Sequence, residues 1–121
     1  MTAALNRGAQ VEVKQWWIAV KAHQELFLQL IALESLATTK FRNIDAVICQ
    51  IEADYRRLQD MTYPDIADGL RGHLLHAIEH VMNSLWSLKN RQLFESDVRF
   101  NIAQVDMTMV KHELLNYRIV D

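Results

Sequence analysis

Apolar residues recur along this chain in steps of three and four, the spacing that lines one face of an α-helix. The pattern predicts four helices. Helix A covers residues 10–38, with Trp16, Ala19, Val20, Leu26, Phe27, Leu30, Leu33 and Ala37 on one side and Lys14, Lys21, Gln24 and Glu25 on the other. Helix B covers residues 41–60, along a seam of Phe41, Ile44, Ile48, Ile51, Tyr55 and Leu58. Thr62-Tyr63-Pro64-Asp65 then breaks the chain, because proline opposes continuing one helix but suits the first turn of the next. Helix C follows over residues 65–90 and helix D over 93–118.

Residues 1–9 read as a flexible tail, and residues 10–121 as one domain. The expected fold is all-α, an antiparallel up-and-down four-helix bundle. The A–B join at Ala37-Thr38-Thr39-Lys40 has no Gly or Pro, and its two β-branched threonines disfavour helix only slightly. A turn is still expected there, since a continuous A–B helix is about 75 Å long.

Helices C and D carry more apolar surface than one core-facing stripe needs. Leu70, Leu74, Ala77, Val81 and Leu88 form the main stripe of C, with Leu75, Met82 and Trp86 well away from it. On D, Phe94, Val98, Ile102, Val105 and Met109 read as the main stripe, and Phe100, Ala103, Met107, Val110 and Leu114 as a second. Surplus apolar surface implies a partner. Leu75, Met82, Trp86, Phe100, Met107 and Leu114 are the expected interface, with Trp17 also directed away from the core.

Composition narrows the class. Three glycines and one proline in 121 residues supply few turns, which disfavours many short strands. The net charge of −2, with both signs mixed, suggests no broad surface for nucleic acid or anionic membrane. Cys49 is the only cysteine, so no internal disulfide forms, and a reducing compartment is expected. Residues 1–10 lack the pattern of a signal peptide, and charged and amide residues interrupt the apolar stretch Trp16–Ala37. The expected location is the cytoplasm, with no membrane partner.

Candidate chemistry centres on histidine. His73, His76 and His80 are spaced three and four apart and share one flank of helix C. His23 falls on the apolar face of A and His112 on the main stripe of D. In an up-down bundle His23, His73, His76 and His112 come to similar heights, so a transition metal or haem is one reading. No Glu-x-x-His of the di-iron type occurs. Arg71 and His76 make another pair, in which a histidine moves a proton while a guanidinium steadies a phosphate. This resembles the R-x(4–6)-H motif of the HEPN family, with Leu74 at a commonly apolar position. The resemblance implies a dimeric RNA-cleaving domain with Arg71 and His76 as the catalytic pair. The match departs at Gly72, where that family usually has a polar residue, and at Ala77-Ile78. With no complete catalytic constellation, the leading expectation is a non-catalytic interaction or accessory protein that forms a homodimer or binds another protein and needs no cofactor.

Overall fold

Helical periodicity translates into helix over most of the chain, with residues 32–43 the main exception. The computed structural model describes residues 7–119 and contains α1 (Arg7–His23), α2 (Glu25–Ile31), α3 (Ile44–Asp60), α4 (Asp68–Lys89) and α5 (Leu93–Asn116), with a 3-10 turn at Asp65–Ala67 leading into α4. No strand occurs among the described residues. The core takes Trp17 and Val20 from α1, Phe27 from α2, Ile51 and Leu58 from α3, Leu74, Ile78 and Leu85 from α4, and Phe100 and Leu114 from α5.

α4 and α5 form the central antiparallel hairpin. Both ends of the connection are built from the chain's own carbonyls. The N–H of Arg91 reaches the Leu88 carbonyl at 3.0 Å, and that of Gln92 reaches Ser87 at 2.8 Å. This is the Schellman termination, with Arg91 in the left-handed seat at φ 60° where glycine is commonest. α5 ends the same way: Arg118 sits at φ 59°, and the Ile119 N–H reaches the Leu114 carbonyl at 3.0 Å. Near the turn, Ser84 and Ser96 are both buried and satisfy each other, with Ser84 Oγ donating to the Ser96 carbonyl at 2.7 Å.

The first half of the chain departs from the expected single helix A. α1 begins at Arg7, so residues 7–9 are helical rather than a loose tail; residues 1–6 lie outside the described residues. The helix is interrupted at Gln24 (φ −116°, ψ 33°), and α2 ends at Ile31 rather than near residue 38. The turn expected at 37–40 becomes a longer irregular segment, 32–43, held down by the fully buried Leu36. Hydroxyl groups stabilise it: Ser35 Oγ accepts from the Ala37 N–H, and Thr39 Oγ1 donates to the Ser35 carbonyl. Such local bonds compete directly with helix. Asn43 then caps α3 by accepting from the Ala46 N–H at 3.2 Å, which moves the start of that helix from the expected residue 41 to 44.

α3 holds the α1–α2 break. A continuous helix would join the Phe27 N–H to the His23 carbonyl. Here the Phe27 N–H bonds to the Asp54 carboxylate, and the His23 carbonyl accepts from Arg57 Nη1 at 2.8 Å. Asp54 and Arg57 are 3.5 Å apart on successive turns of α3. An acid and a base thus replace the opened backbone bond. The arrangement is costly for the acid: burial pushes the Asp54 carboxyl above its ordinary value, against the lowering by Arg57 and the Phe27 N–H, and its Oδ2 is buried without a partner among the described residues. Because the folded chain holds this proton more readily than the unfolded chain, Asp54 favours folding most at low pH, and that contribution is lost as pH rises through the folded value. Asp54→Asn, which keeps an acceptor for Phe27, is expected to leave urea-unfolding stability at neutral pH unchanged or raised. Asp54→Ala, which leaves that donor orphaned, is expected to lose about 1–2 kcal/mol. Equal losses in both variants count against this account.

Candidate functional site

α5 carries two apolar stripes because its sequence alternates them along its whole length. Measured around the helix, Phe94, Val98, Ile102, Val105 and Met109 are centred about 160° from Phe100, Ala103, Met107, Val110 and Leu114. Only one stripe can face inward. The structure reverses the expected order: the second group is buried in the chain's own core, and the first is exposed, Phe94 at 78% and Val105 at 60%. Phe100, Met107 and Leu114 are therefore internal packing residues and offer no free surface for the interface expected of them. Ala103 is fully buried on the inner stripe, where a small side chain suits close packing of α5 within the core.

The remaining interface expectations divide. Leu75 and Met82 are half-buried, and Trp86 is exposed, its ring covered on one side by Lys89 Nζ at 4.9 Å from the centroid. Met82 and Trp86 line an open groove between α3 and α4 with Tyr55 and Arg56. Trp17, expected to point away from the core, is 1% exposed and belongs to it.

The outer stripe of α5 has a regular register. Val98, Ile102, Val105, Met109 and the exposed His112 follow steps of four, three, four and three. That is the spacing of a two-helix seam. Leu93 adds further exposed apolar surface at its start.

The histidines do not gather as expected. His23 and His112 are exposed, and neither belongs to a metal-competent group among the described residues. His73 Nε2 pairs with Glu113 Oε1 at 3.3 Å. His76 Nδ1 lies 3.0 Å from Asp106 Oδ2. The antiparallel hairpin sets these pairs: as the residue number rises from His73 to His76 to Ser84 on α4, the partner on α5 falls from Glu113 to Asp106 to Ser96. His80, on the same flank of α4, has its Nδ1 buried without a hydrogen-bond partner among the described residues.

His80 instead stacks edge-on against His76, with ring centroids 4.6 Å apart. His76, His80 and Asp106 form the one metal-competent cluster among the described residues, their candidate ligand atoms all within 4.8 Å of one another. Burial and then the neighbouring His76 lower the His80 pKa below its ordinary 6.5, with Arg99 adding to the effect and Asp106 and Glu79 opposing it. For a lowered histidine the unfolded chain binds the proton more readily, so stability is lost as pH falls from about 6.5 towards the folded value. The stability advantage of the parent chain over His80→Gln should therefore shrink between about pH 7.5 and 5.5 in urea titrations. A gap that is constant or widens at acid pH contradicts this.

Arg71 and His76 are not brought together. Arg71 Nη2 donates to the Gln59 carbonyl at 3.0 Å, and its guanidinium lies 4.4 Å from the centre of the Tyr63 ring, on the α3 side of α4. His76 faces Asp106 on the α5 side. Five residues apart on a helix is about 140° around it, and the neighbours fix the two side chains on different flanks. Compared with protein families, curated proteins and solved structures, the chain has no match. The candidate sites rest on their own geometry: an exposed apolar face on α5, and a His-His-Asp cluster beside it. No described helix is long and apolar enough to cross a membrane.

Proposed function

We propose that this chain is a self-associating interaction protein whose contact surface is the outer face of α5. The observation that carries this reading is the exposed, uncharged run of Phe94, Val98, Ile102, Val105 and Met109. It extends about 22 Å along the helix, long enough for a helix–helix contact. Leaving it in water has a cost that burial against a partner removes.

A second copy of the same chain is the partner we favour. A two-fold contact places a patch against itself, and charged patches then meet like charges. This stripe contains no Asp, Glu, Lys or Arg, so nothing opposes that contact. Its four-and-three spacing and its β-branched Val98, Ile102 and Val105 suit a paired-helix seam. In this reading α1 and α2 act as one bent helix of an antiparallel four-helix bundle, and α5 of one bundle packs on α5 of the other. A cytoplasmic setting fits the single exposed Cys49.

Sedimentation velocity across a concentration series tests the proposal. A dimer is expected to predominate by about 10 µM, an affinity ordinary for a modest interface. Sedimentation as a monomer up to about 200 µM overturns it.

A further inference from the structure

We propose that His76, His80 and Asp106 bind a single divalent transition-metal ion of the zinc type. The two histidines are four apart on α4, a spacing that puts both rings on one face of the helix, one turn from each other. Asp106 comes from α5 and is 8% exposed, so the hairpin register fixes its carboxylate beside the rings. The candidate ligand atoms lie within 4.8 Å of one another. Zinc bonds near 2.0–2.2 Å bring ligands to about 3.3–3.5 Å apart, within reach of small side-chain rotations at the exposed His76.

The donor set selects the metal class. Two imidazoles and one carboxylate suit zinc, cobalt or nickel; magnesium and calcium require mostly oxygen ligands. Three protein ligands leave a position for water, and the partly exposed rings leave room for it. Charge also favours a cation. Asp106 supplies one negative charge and the nearby exposed Glu79 another, opposed by Arg99.

Without a metal, His80 Nδ1 has no partner among the described residues, and His76 is tied to Asp106 by a single bond. A metal would use both rings and the carboxylate together. This also accounts for a run of three histidines on one flank of α4, of which His73 is occupied by Glu113.

The test is titration of the untagged full chain with zinc chloride by calorimetry, with cobalt chloride as a spectroscopic probe. One ion per chain is expected, with a thermal-unfolding shift to higher temperature and the visible absorption of cobalt held by nitrogen and oxygen. His80→Gln should weaken binding at least tenfold and abolish the thermal shift. The buried Nδ1 of this ring has no hydrogen-bond partner among the described residues to lose, so the variant is expected to fold. Asp106→Asn should also weaken binding at least tenfold, and circular dichroism reports whether its fold is intact. His23→Ala and His112→Ala should bind as the parent does. Absence of stoichiometric binding, or equal weakening by His112→Ala and His80→Gln, overturns the proposal.

Discussion

Phe100→Ala is expected to remove about 3–5 kcal/mol of folding stability, and Phe94→Ala less than about 0.5 kcal/mol when measured in dilute solution. The two phenylalanines are six apart on one helix, and apolar spacing alone favours Phe94, not Phe100, as the core residue. Their surroundings decide otherwise. Phe100 is 1% exposed and packed within the core cluster, whereas Phe94 is 78% exposed. Deleting the first ring removes its transfer free energy and leaves a cavity among side chains that can only partly relax. Deleting the second removes surface already in water. A domain of this size has a total stability of about 5–15 kcal/mol, so the Phe100 variant approaches the threshold of folding. Chemical unfolding of the two variants side by side measures the contrast. Similar losses would show that the two stripes of α5 are assigned to the wrong sides.

Val105→Glu is expected to weaken self-association at least about 100-fold while leaving the monomer folded. Val105 is 60% exposed, so a carboxylate there remains solvated in the monomer and costs the fold little. In a two-fold contact the same substitution appears twice, places two like charges in an apolar seam, and desolvates both. A 100-fold change corresponds to about 2.8 kcal/mol, modest beside the usual penalty for an unpaired buried charge. Lys111→Glu is the control: Lys111 is exposed, lies away from the outer stripe, and its charge reversal should leave association within about threefold. Sedimentation of the parent and both variants at matched concentrations reads the outcome. Dissociation by both variants alike would point to net charge rather than the α5 face, and association unchanged by Val105→Glu would place the contact elsewhere.

The features the sequence hid share a cause. Asp54 stands three residues after Ile51 and four before Leu58, at the edge of the α3 seam, where spacing alone does not decide its burial. Its role was not readable either, because the groups it serves belong to residues 23 and 27, far away in the chain. Asp106 likewise lies between Val105 and Met107, at the border of two apolar stripes, and only the α4–α5 register reveals that His76 is its neighbour. His80 belongs to a visible histidine run, yet its unpartnered Nδ1 and its edge-on contact with His76 emerge only in the folded chain.

Local physics, acting within a few residues, settled most of the helical content in advance. Steps of three and four define α3, α4 and α5, Pro64 separates α3 from α4, and the polar stretch at 89–92 separates α4 from α5. These signals lie within one element, so periodicity reports them directly. Tertiary packing decided the rest: where helix A breaks, which α5 stripe turns inward, and which histidines meet a carboxylate. Spacing ranks the outer stripe first because it carries the larger side chains, and only the packing of α4 against α5, with Ser84, Ser96 and Ala103 buried between them, turns the other stripe inward. A helix in isolation has no inside, and the neighbouring elements give it one.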